Sequence, residues 1–163
     1  PVPCEDFRMP FSRVPRPAFA LLLLLSPATM TAQTRTASGT FDVKLTPVAA
    51  DSGAPAAIGR MTIAKQFHGD VDGTSAGQMV AMMTSVDGSA GYVAMEEVRG
   101  TLHGRTGTFV LQHSGTMDRG VPTLLVSVVP DSGTGELTGL AGTMTITITG
   151  REHRYEFTYT ISP

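Results

Sequence analysis

A chain of 163 residues with 41% hydrophobic and 16% charged residues, no Trp and mean hydropathy slightly above zero fits one domain with one real core. A formal charge of −2 supplies no clustered basic face, so nucleic acid and anionic membrane surfaces are not expected partners. The 18 glycines and the abundant threonine suit strands and turns better than long helices.

The first 32 residues differ in kind from the rest. They hold six of the 11 prolines and none of the glycines, the first of which is Gly39. Arg13 and Arg16 precede an apolar run, Ala18 to Leu25, which is too short to span a bilayer but matches the core of a secretory signal peptide. Ser26 to Ala32 is rich in small residues, so residues 1–32 are read as upstream sequence plus a cleaved signal, and 33–163 as a single barrel domain. Met9 opens that signal, with Pro1 to Arg8 lying ahead of it. A short uncleaved anchor is the competing reading. The expected location is secreted or periplasmic, with no stable membrane insertion after cleavage. The only cysteine, Cys4, lies upstream. Disulfides, thiolate catalysis and lipid attachment through a cysteine are therefore not expected of the exported part.

Beyond it, apolar and polar residues alternate with a period of two. Phe41, Val43 and Leu45 share one face of a first strand. Pro47 to Ala57 reads as a loop. Met61, Ile63, Lys65 and Phe67 share the face of a second strand, which sets Lys65 among apolar neighbours. His68 to Gly73 reads as a tight turn, and Thr74 to Ser85 as a third strand with small and apolar residues on both faces. Asp87-Gly88 predicts a hairpin into a fourth strand carrying Tyr92, Ala94, Glu96 and Val98 together. After a turn at His103 to Arg105, the fifth strand, Gly107 to Met117, aligns Phe109, Leu111, His113, Gly115 and Met117. Thr123 to Val129 is nearly all apolar and is expected to be covered on both faces. A Gly-rich loop, Asp131 to Gly142, leads to Thr143–Thr149 and then to His153–Ile161, where His153, Tyr155, Phe157, Tyr159 and Ile161 align. Eight strands on short turns predict an all-β antiparallel meander closing into a barrel, with a two-sheet sandwich as the alternative.

No local pattern identifies a reaction. Gly133, Gly135 and Gly139 fail the dinucleotide spacing, because Thr138 stands at the third glycine position and a strand follows where a helix is required. Asp70, Asp72 and Gly73 open like a calcium loop, but Ala81 occupies the position of its closing acid. His68, His103, His113 and His153 show no paired metal spacing, and there is no Gly-x-Ser-x-Gly elbow. Neither metal nor cofactor is expected.

What remains is a set of polar side chains on otherwise apolar faces: Lys65, Tyr92, Glu96 and His113. In an eight-stranded barrel the inward faces either fill the lumen or line a pocket for one small ligand. The candidate ligand-binding set is Lys65, Phe67, Tyr92, Glu96, Phe109, Leu111 and His113, with Glu96 and His113 as candidate acid and base. The plainer reading is that Lys65 and Glu96 form a structural pair.

Three stretches, GRMTIAKQFHGDVDGTSAGQM, SAGYVAMEEVRGTLHGRTGTFVLQHSGTM and VVPDSGTGELTGLAGTM, resemble the bacterial domain-of-unknown-function family 3224 from about Gly39 to Ile161. That family is similar in fold to allene oxide cyclase and dirigent proteins, eight-stranded barrels with a lumen, and the SGTGELTGLAG segment resembles their Gly-Thr-Gly turn. The resemblance implies a closed barrel rather than a sandwich. It implies no activity, because the family has no assigned reaction and the cyclase's catalytic residues have no counterpart that can be placed here. A signal peptide is a departure from what the resemblance implies. The leading expectation is a secreted barrel holding a small apolar ligand. The alternatives are a cyclase- or isomerase-like enzyme on a small hydrophobic substrate, and a structural module that forms a homo-oligomer through its outer face.

Overall fold

The computed structural model describes residues 32–49, Gly53 and 57–162. The expected signal peptide and most of the loop after Pro47 therefore lie outside the described residues. Eight strands follow in chain order: β1 (Arg35–Val48), β2 (Ile58–Gly69), β3 (Val71–Met83), β4 (Ala90–Leu102), β5 (Arg105–Asp118), β6 (Val121–Val128), β7 (Leu140–Thr149) and β8 (Glu152–Ile161). Each pairs antiparallel with its neighbour in sequence. β1 also pairs with β8, from Arg35 against Tyr159 to Phe41 against His153, so the sheet closes and the sandwich is excluded.

The period of two decides which residues turn inward. Along β2, Ile63, Lys65 and Phe67 are buried while Thr62, Ala64 and Gln66 are exposed. β4 buries Ala94, Glu96 and Val98, and β5 buries Phe109, Leu111, His113 and Gly115. His103-Gly104 and Arg119-Gly120 link their strands as two-residue turns with positive φ at both positions, the geometry whose twist matches that of the flanking strands. The turn expected over His68 to Gly73 is shorter, because β2 runs to Gly69 and β3 starts at Val71.

Two expectations are corrected. β6 is not covered on both faces: Leu125, on its outer side, is 59% exposed. A barrel is a single layer, and among the described residues nothing covers Leu125 from outside. The Gly-rich segment after β6 is more than a loop, since it carries a short 3₁₀ turn, η1 (Gly135–Leu137), whose Leu137 is buried against Gly107 of β5.

The same segment borders the half of β5 that extends past β6. Val110 N–H donates to Ser132 Oγ (3.0 Å), Thr108 N–H to Thr134 Oγ1 (3.0 Å) and Thr106 N–H to Glu136 Oε2 (2.8 Å). Alternate side chains thus do what a partner strand's carbonyls would do. By contrast, β6 meets β7 in register at a single residue pair, Ser127 with Thr143.

The two ends of the barrel differ. At the end with the β2–β3, β4–β5 and β6–β7 connections, Phe67, Phe109, Phe157, Tyr155 and Tyr159 join Leu102, Leu137 and Leu140 in a packed core. Phe109 and Phe157 stack at 5.8 Å, and Phe67 meets the Tyr155 ring edge-on at 5.7 Å. His103 Nδ1 lies 2.7 Å from Tyr159 Oη and its Nε2 lies 3.5 Å from Asp70 Oδ1, which ties two of these connections to β8. The other end is hollow.

Candidate functional site

The hollow half is a cavity of about 310 Å³, near the lower limit of ordinary ligand pockets. Its walls are apolar: Phe41, Val43 and Leu45 from β1, Ile63 from β2, Met79 from β3, Ala94 from β4, Leu124 from β6, and Ile146 and Ile148 from β7. Leu45 and Ile148 are 47% and 63% exposed, so the mouth opens to solvent between apolar side chains. Lys65, Tyr92, His113 and His153 are the polar residues on its surface.

Below Lys65 and His113 lies Glu96, whose side chain is wholly buried. Its Oε1 accepts from Lys65 Nζ at 2.6 Å and from His113 Nε2 at 3.0 Å, and its Oε2 accepts from Ser75 Oγ at 3.0 Å. The strand register brings these groups together. Lys65 pairs with Ser75 across β2 and β3, Gly77 with Glu96 across β3 and β4, and Ala94 with His113 across β4 and β5. Gly77 is required at its place, because a Cβ there would fall 2.6 Å from Glu96 Cα and collide with the β4 backbone.

Burial alone would push the Glu96 carboxyl up. The hydrogen bond from His113, with the charge and hydrogen bond of Lys65, outweighs burial and holds it below its ordinary value. An ionised Glu96 can only accept, so His113 donates through Nε2 and its basic nitrogen is Nδ1. Lys65 Nζ also sits 4.7 Å from the Phe41 ring centroid and 5.7 Å from that of Phe67, where aromatic faces favour a cation. Burial, and then the Glu96 charge, push the Tyr92 phenol up, so it stays a donor at neutral pH. The Tyr92 ring occupies the space that a side chain at Gly115 would need.

Of the residues singled out in the sequence, Lys65, Tyr92 and His113 lie on the cavity surface, and Glu96 lies directly behind two of them. Phe67, Phe109 and Leu111 share their inward direction but fill the packed half. Two residues outside the sequence-predicted set also belong here: Ser75, which holds Glu96, and His153, which lies against the Phe41 ring at 5.1 Å. Alternation back from Met79 through Gly77 would have pointed Ser75 inward. A larger groove, about 460 Å³, runs along the outer face among Thr145, Thr147 and Arg154; the buried titratable group on it is Tyr155, whose hydroxyl is already engaged by the Val71 N–H. Among the described residues no cluster of three or more His, Cys, Asp or Glu could hold a metal ion.

The fold and site define a class: a small lumen barrel with one half packed solid and the other an apolar chamber floored by a neutralised ion cluster. The chain matches the model of the family described as Protein of unknown function (DUF3224) over residues 37–159, and it belongs to that family. A solved protein of unknown function from the DUF3224 family of Shewanella oneidensis MR-1 is similar to it at 49% identity and a TM-score of 0.75. The match covers 80% of this chain and 99% of that one. No curated protein matches.

Proposed function

We propose that the barrel binds one small, largely apolar ligand in its open half and does not transform it. The observation that carries this reading is the cavity of about 310 Å³ with hydrocarbon walls, an open mouth and four polar side chains on its surface. Glu96 supports binding over acid–base chemistry, because three hydrogen bonds hold it behind the surface a ligand would touch. The signal-like N-terminal segment supports a secreted or periplasmic site of action, where the ligand would be met outside the cytoplasm.

The test is titration of the purified protein with N-phenyl-1-naphthylamine, a neutral dye that brightens in apolar surroundings. Ala94 is buried on the cavity wall, so Ala94→Phe fills the chamber at a cost of about 1–3 kcal/mol in stability. The wild-type protein should bind the dye, and Ala94→Phe should bind it at least about tenfold more weakly with its strand circular dichroism intact, a difference of about 1.4 kcal/mol. Equal binding by both proteins would place the dye on the outer face and end the lumen reading.

A further inference from the structure

Resting on that reading, we propose that the occupant is an apolar monocarboxylic acid, seated with its carboxylate on Lys65 and His113, and that it enters together with one proton. The polar residues on the cavity surface are Lys65, Tyr92, His113 and His153; all of them can donate a hydrogen bond and none is an acid. The one carboxylate, Glu96, is wholly buried behind them. A cationic head group would face the Lys65 ammonium with no acid in reach. An anionic oxygen would face the Lys65 ammonium and side chains that can donate.

Charge balance supplies the second half of the inference. Lys65 and Glu96 cancel, so with a neutral His113 the floor carries no net charge. A lone carboxylate added there would leave an uncompensated charge in an apolar enclosure, which is strongly unfavourable. A proton taken up at His113 Nδ1 restores neutrality, and the new N–H becomes a donor while Nε2–H stays on Glu96. The titratable groups around His113 are Lys65 from β2, Tyr92 and Glu96 from β4, and His153 from β8; β1, β3, β6 and β7 line the cavity with apolar side chains only. Imidazole is the side-chain type among these whose ordinary titration falls near neutral pH, and of the two present His113 is the one hydrogen-bonded to the Glu96 carboxylate. The volume equals about ten water molecules at ~30 Å³ each, which fits a head group and roughly eight carbons.

Octanoate, octanol and octylamine share a tail and differ in the head group. Calorimetric titrations from pH 6 to 8, each in two buffers of different ionisation enthalpy, should show octanoate tightest at pH 6, by about tenfold over octanol, and octylamine weakest. Octanoate affinity should fall as pH rises, with net proton uptake approaching one per ligand, and the slope about tenfold per pH unit, towards pH 8, because each bound anion brings one proton with it. Octanol should show neither effect. The double variant Lys65→Met with Glu96→Gln removes both charges, so neither is left bare. It should keep octanol and dye binding and lose the preference for octanoate.

Octanol binding as tightly as octanoate at pH 6 would overturn the head-group assignment. A preference for octanoate without proton uptake would overturn the coupling, and a preference surviving in the double variant would remove Lys65 from the site. Each of these results would leave the lumen reading standing. Loss of dye binding to the lumen, measured separately, is what would remove it.

Discussion

Glu96 holds the interior charges in balance, and its removal should be felt more than that of any apolar neighbour. Glu96→Ala would leave the Lys65 ammonium buried without a counter-charge, and an expected loss of about 3–5 kcal/mol should appear as a lower midpoint in urea unfolding. The same carboxyl gives the protein an acid limb. Its folded pKa lies below its ordinary value, so its contribution to stability is complete above the usual carboxylate range, about pH 4. That contribution is lost as pH falls through the folded value. Thermal melts should therefore drop steeply below that range in the wild type and less steeply in Glu96→Gln. The alternation on β2, β4 and β5 made Lys65, Tyr92, Glu96 and His113 legible as inward residues. It could not separate those that line the cavity from those that fill the core, because a period of two reports a face and not a height along the barrel axis. Phe67 and Phe109 share a direction with Lys65 and His113 but stand nearer the packed end. Ser75 stayed hidden in a run of small residues whose two faces look alike.

The segment after β6 stabilises β5 through side chains. Thr134→Val keeps the shape and removes the acceptor for Thr108 N–H, and Ser132→Ala does the same for Val110 N–H. Each should cost about 1 kcal/mol in denaturant unfolding, the ordinary net worth of one such bond, with Ser132 costing more because its site is half-buried. If both substitutions are neutral, water replaces the side chains at no loss and the ladder does not support β5. The turns at Asp87-Gly88 and His103-Gly104 were legible because each carries a glycine, which tolerates positive φ. The role of Ser132, Thr134 and Glu136 was not, since a Gly-rich stretch declares that the backbone bends and says nothing of where its hydroxyls end up. The apolar run of β6 misled for a related reason. Leu124 lies at the cavity mouth and Leu125 points into solvent, and composition alone cannot distinguish a covered face from a bare one.

Closure is a property of the whole chain, and no local pattern contains it: the pairing of β1 with β8 joins residues more than a hundred positions apart, so the count of eight strands suggested it and the resemblance of long segments set it above a sandwich. The closed order also hides an uneven circumference. Because β6 and β7 share one registered pair while the other neighbours share seven or more, the ring has a weakest joint at Ser127 and Thr143. Native-state hydrogen exchange should find the amides on either side of Ser127 opening at lower free energy than those of β3 and β4, whose pairing runs without interruption from Val71 to Met83. Equal protection around the ring would refute that order. A barrel is usually credited with having no strand left to recruit another chain, yet this one keeps a latent edge. Under mild destabilisation, that joint is where two molecules would exchange strands and begin to aggregate.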